Sequence, residues 1–175
     1  MRSRLSQGGF TLVETIIVIV LLGAMLAGMT ALFTNNVGKS YRPYLRQRAL
    51  AVANAFMDEI LNKRWNEATP LGGGCVNTGS GACPTGPAAV AIGADGESRA
   101  TFDDIDDYHG LNQTPPQDSS GVNMPGYGGY SVAVSVTQPG AAWNGVPAAD
   151  VRLITVSVTS SSNETITVSA YRVNF

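Results

Sequence analysis

From Thr15 to Gly38 the chain carries no charged side chain, and the longer apolar run that begins this region, Phe10 to Phe33, carries one, Glu14. Twenty-four helical residues rise about 36 Å, enough to cross the roughly 30 Å hydrocarbon core of a bilayer. A buried helix of that length in a soluble domain would keep a polar face, and this run has none. It therefore reads as a membrane-spanning segment. A cleaved secretory signal fits less well, because its apolar core is only about 7–15 residues long and ends in an A-x-A-like site. Here the small residues Gly23, Ala24, Ala27 and Gly28 lie inside the run, where they suit close helix–helix packing in lipid.

The rest of the composition agrees with a chain only partly in water. Charged residues make up 14% of the 175, against roughly 25% in an average soluble domain. The net charge is −2 and just two bases are lysines, Lys39 and Lys63, so the basic stripe of a nucleic-acid binder is missing. Orientation involves a conflict. Arg2 and Arg4 precede the span, whereas Lys39, Arg42, Arg46 and Arg48 follow it, and a bare charge count would place the C-terminal side in the cytoplasm. The polar, turn-rich remainder and its two cysteines argue for export instead. Cys75 and Cys83 would close a short loop in an oxidising compartment; the alternative is two free thiols. With His109 as the single histidine, four zinc ligands of Cys/His type cannot be assembled.

Past the span the apolar pattern becomes periodic. Leu45, Ala49, Val52, Phe56 and Ile60 form one stripe, with Gln47, Asn54, Asp58 and Asn62 on the other side, which predicts an amphipathic helix running towards Trp65. Pro43 predicts a kink and Gly38 a looser approach. Thirteen of the twenty glycines fall between Asn66 and Gly129, a region with few clear elements apart from a possible short strand at Ala88–Ile92. Three strands follow. Tyr130, Val132, Val134 and Val136 alternate with small or polar residues. Val151–Thr159 changes phase between Leu153 and Ile154, which suggests a bulge. Ser160–Asn163 is turn chemistry before a third strand, Glu164–Val173. Helix first and an antiparallel meander afterwards give an α+β fold, a long N-terminal helix packed on a small sheet. The predicted organisation is 1–9, a 10–38 spanning half-helix, a 39–66 amphipathic half-helix and a 67–175 head.

One cluster invites a site. Asp103, Asp104, Asp106 and Asp107 put four carboxylates within five residues, and calcium takes six to eight oxygens. The spacing is not that of an EF-hand. The alternative is a solvated acidic loop whose buried side is Phe102, Ile105 and Tyr108, with a base such as Arg99 borrowed against the repulsion. No nucleophile elbow, P-loop or dinucleotide fingerprint accompanies these residues, so the expectation is that the protein is not an enzyme and has no small-molecule substrate.

Gly9-Phe10-Thr11-Leu12-Val13-Glu14, after a basic leader and before an uninterrupted span, resembles the prepilin processing motif of type IV pilins and pseudopilins. The resemblance implies cleavage after Gly9 by a prepilin peptidase, N-methylation of Phe10, and pairing of Glu14 with the Phe10 amine of a neighbouring subunit in a filament. Val13 stands where isoleucine is frequent. A glycine before the scissile bond lets backbone enter a peptidase site closely, and an α-amine with a pKa near 8 would be largely cationic. Asp-Asp-Ile-Asp-Asp-Tyr-His-Gly, Met57-Asp58-Glu59-Ile60-Leu61-Asn62-Lys63-Arg64 and the two-cysteine loop further resemble minor pilins of mannose-sensitive haemagglutinin (MSHA) type IV pili. That implies a low-abundance subunit acting in assembly initiation or at the tip, with a periplasmic head on an inner-membrane anchor before assembly and other pilins as its partners. A minor pseudopilin of type II secretion, or a calcium-dependent adhesive tip module, is the runner-up.

Overall fold

The computed structural model describes residues 11–175, with the side chains of 34–41 left aside. Two compact units divide the chain, Met1–Pro43 and Tyr44–Phe175. Helix α1 (Leu12–Leu61) contributes to both, and Pro43 sits inside it without ending it. A proline removes one i→i−4 hydrogen bond, and the remaining ladder holds the helical backbone on either side.

The second unit is built on the predicted stripe. Leu45, Ala49, Val52, Phe56 and Ile60 are all buried, joined by Ala53 and Met57. They share one apolar cluster with Val132, Val134 and Val136 of β2 (Ser131–Thr137) and with Ile154, Val156 and Val158 of β3 (Val151–Thr159). Strand β4 (Thr165–Val173) continues the meander, and a two-residue strand, β1 (Asn112–Gln113), adds to the other edge. The sheet order is β1-β2-β3-β4, antiparallel throughout. On the outer face, three hydroxyl pairs link β3 to β4: Thr155–Ser169, Ser157–Thr167 and Thr159–Thr165 at 3.2, 3.1 and 2.8 Å. Period-two patterning thus sorts valine and isoleucine inward and serine and threonine outward.

Two details differ from the sequence expectation. Ala88–Ile92 is not a strand; it contributes one isolated bridge, Asn77 to Ala88. Strand β3 has no bulge, because Leu153 to Thr159 pair one-to-one with β2 and Val151 to Thr159 with β4. The apparent phase change has another cause. Arg152 occupies an inward position of β3, in line with Ile154, Val156 and Val158, and is 2% exposed. Its Nε and Nη2 donate to Asp106 Oδ1 and Oδ2 at 2.7 and 3.1 Å, and its guanidinium lies 4.1 Å from the centre of the Trp65 ring. A cation fills a position where periodicity expects an aliphatic.

The long irregular segments are held by side chains that satisfy backbone groups. Asn66 accepts from the Val90 and Ala68 N–H groups and donates to the Val90 carbonyl and Asp106. Asn174 accepts from the Val76 N–H and donates to the Val76 carbonyl, at 2.8 and 2.7 Å, like one rung of a ladder. Cys75 and Cys83 are joined by a disulfide with Cα atoms 6.1 Å apart. Gly86 is needed beside it, since a Cβ there would lie 2.7 Å from both Cys83 Sγ and the Cys75 carbonyl oxygen.

The Arg152–Asp106 pair generates a direct test. Arg152→Met leaves Asp106 buried without its cation, and the expected loss is about 3–5 kcal/mol of unfolding free energy. Denaturant titration followed by tryptophan fluorescence measures it. A loss below about 1 kcal/mol, the scale of an exposed pair, would contradict the burial of this one.

Candidate functional site

The apolar end of α1 has the properties that lipid demands. Leu12–Phe33 has a mean hydropathy of 2.6, and none of it is buried within the chain. Its hydroxyls are satisfied internally, as hydrocarbon requires. Thr30 Oγ1 donates to the Leu26 carbonyl at 2.6 Å and Thr15 Oγ1 to the Thr11 carbonyl at 3.3 Å. Gly23 and Gly28 have open space where a Cβ would stand, so a second helix can approach closely at that level.

Glu14 acquires a definite position. Thr11 precedes the first helical residue and its Oγ1 accepts from the Glu14 N–H at 3.3 Å. Thr11-Leu12-Val13-Glu14 is thus the S/T-x-x-E pattern of a helix start, with the acidic side chain at the third helical residue. A carboxylate there also faces the positive end of the helix dipole. This signal is legible in the sequence itself, where it overlaps the Gly9–Glu14 motif. Gly9 and Phe10 themselves lie outside the described residues, as does the proposed Phe10 amine.

Residues 4–30 match the family profile described as the prokaryotic N-terminal methylation motif. No curated protein and no solved structure gives a significant match to the chain. The N-terminus is type IV pilin-like. The match takes in Arg4, the Gly9–Phe10 junction, Glu14 and most of the apolar run. Together with the apolar helix and the small antiparallel sheet it fits a structural, membrane-anchored, pilin-like protein.

The aspartate cluster is not a solvated loop. Asp104, Asp106 and Asp107 are buried, and Asp103 alone is exposed. Phe102, Ile105 and Tyr108 are buried as expected. The carboxylates cap backbone. Asp107 Oδ2 accepts from the Asp103 and Asp104 N–H groups, both at 2.9 Å, and Asp104 Oδ1 accepts from Asp106 and Asp107 at 2.7 and 3.1 Å. The compensating bases are Arg152 on Asp106 and Arg64 on Asp103. Arg99 goes elsewhere: it forms a two-pronged ion pair with Glu59 at 2.6 and 2.7 Å. Burial alone would raise the Glu59 pKa, but hydrogen bonds from Arg99 and Tyr108 outweigh it and hold that carboxyl below its ordinary value.

As cation ligands, the four aspartates are regrouped by the fold. Asp103 and Asp104 come together with Glu67, and Asp103 and Asp107 with Glu97, each set with carboxylate oxygens within 4.8 Å of one another. Asp106 is drawn away by Arg152 and Asn66. His109 takes a structural part, its Nδ1 accepting from the Val136 N–H at 3.3 Å.

Asp104 carries a pH consequence. Burial, then the charges of Asp107 and Asp106, push its pKa up to about 7. The folded state therefore holds this proton more tightly than the unfolded chain does. Its contribution to stability is complete below the ordinary aspartate range and is lost as pH rises towards about 7. Asp104→Asn keeps an oxygen for the two N–H groups and removes the charge. Relative to wild type, the variant should gain melting temperature between pH 4 and pH 8, with chelator present throughout. A difference that does not grow with pH would show that Asp104 titrates normally.

Proposed function

We propose that this chain is a minor pilin of an MSHA-type type IV pilus, of the MshD kind. It would be processed between Gly9 and Phe10 by a prepilin peptidase, methylated at the new amine, and assembled through α1. The observation that carries the reading is the pairing of an unburied span, Leu12–Phe33, with a motif match over residues 4–30 that includes Glu14. A helix of this kind has two stable surroundings, lipid and the apolar interior of a helical filament, and processing lets it pass from one to the other.

Glu14 gives that passage its register. In a filament, its carboxylate at one subunit's helix start meets the Phe10 amine of the next, so that both charges leave an apolar environment together. The head, Tyr44–Phe175, then lies outside the inner membrane, in the periplasm before assembly and at the cell surface afterwards. The disulfide favours that side. A low-abundance place at the tip or in assembly initiation, with a part in surface attachment, follows from the MSHA resemblance in the Met57–Arg64 and Asp103–Gly110 segments. A pseudopilin of type II secretion shares the N-terminal motif, and co-purification with pilus rather than secretion components separates the two.

Two measurements test the proposal. The intact mass of membrane-extracted protein should lack Met1–Gly9 and carry one added methyl group; filaments retaining those residues would refute processing. Glu14→Ala should insert normally into the membrane and enter filaments far less than wild type. Equal incorporation would remove the carboxylate from assembly.

A further inference from the structure

The end of the head where α1 stops contains a cavity of about 260 Å³, lined among others by Lys63, Arg64, Trp65, Leu71, Arg172 and Phe175. Its charges are unevenly matched. Arg64 is paired with Asp103 and Glu67, and Lys63 donates to the Phe102 carbonyl at 2.6 Å. Arg172 has no carboxylate partner among the described residues. Its Nη1 donates to the Leu61 carbonyl at the end of α1. That leaves the Nε–Nη2 edge of the guanidinium, the side-on fork that binds a carboxylate with two parallel hydrogen bonds.

Three further observations point the same way. Arg172 stands directly opposite Arg152 in the β3–β4 register, and like charges facing across a sheet destabilise it. Asp106 compensates Arg152; nothing described compensates Arg172. Burial depresses the Arg172 pKa. At the rim, Leu71 and Phe175 are 94% and 81% exposed, an apolar border suited to the carbon body of an organic acid.

We propose that this cavity binds an organic carboxylate, held by the Arg172 fork and covered by Leu71 and Phe175. The carboxylate is bound and not turned over. It comes either from a small free acid or from an acidic side chain of another polypeptide, and the two sources share this chemistry. The site lies wholly within Tyr44–Phe175 and stands independently of the pilin reading.

The test uses the full chain in detergent micelles, in a Trp143→Phe background so that Trp65 fluorescence alone reports. Three probes are titrated at constant ionic strength: phenylacetate, its neutral analogue phenylacetamide, and an acetyl-Phe-Glu-amide dipeptide. A saturable signal with either carboxylate and none with the amide is expected. Saturation by phenylacetate identifies a small-acid site; saturation by the dipeptide alone identifies a polypeptide side chain. Arg172→Lys keeps the charge and loses the fork, and should weaken binding about tenfold. Leu71→Glu, at an exposed position, should weaken it too by placing a negative charge at the rim without touching the fold. Absence of saturation with both carboxylates would overturn the proposal. So would unchanged affinity in the Leu71→Glu variant, or in Arg172→Lys with an unaltered melting curve.

Discussion

The head depends on one buried ion pair, Arg152 with Asp106. An arginine on the inward face of β3 cannot be left in an apolar core, because an unpaired charge there costs several kcal/mol. The coil after α1 must therefore bring a carboxylate to it, which fixes where Ile105–Tyr108 lies. Asp106 is held from its other side by Asn66, and Asn66 holds Val90. Trp65 stacks on the guanidinium. One charge on the sheet thus organises segments that have little regular structure of their own. The aspartates next to it do the remaining backbone work, capping one another's N–H groups in place of a helix or a ladder.

The two ends of α1 solve opposite problems with the same backbone. From Leu45 to Ile60 a four-three spacing buries one side against the sheet and leaves the other to water. From Leu12 to Phe33 the surface is apolar all round and no described residue covers it. Water is not a stable surrounding for that surface, and lipid or the helices of other subunits are. Glu14 is the exception within it, and its place at the third helical residue, near the positive end of the helix dipole, makes the exception tolerable.

Some of this was legible in the residues. The span, the buried stripe Leu45–Ile60, the alternating β2 and the Ser160–Asn163 turn are local patterns, and local patterns follow from the geometry of helices and strands. The β3 phase change is visible too, but its cause is not. A buried arginine looks like a break in alternation until its partner is known, and Asp106 lies 46 residues away in the chain. The same distance explains the acidic cluster. Consecutive aspartates normally signal solvent, and only the fold reveals that three of them are buried, two capping backbone N–H groups and the third paired with Arg152.

By itself, then, the sequence determined which surfaces must leave water and with what period: one segment on every side, one on a single face, three strands on alternate positions. These are consequences of side-chain polarity acting over a few residues. The tertiary structure alone decided the pairing of charges. Arg152 could have met any of the aspartates, Arg99 chose Glu59, and Arg172 was left beside a cavity without a carboxylate partner among the described residues. Electrostatic partners are set by proximity in space and by the cost of burial, and neither is written in the local spacing of residues.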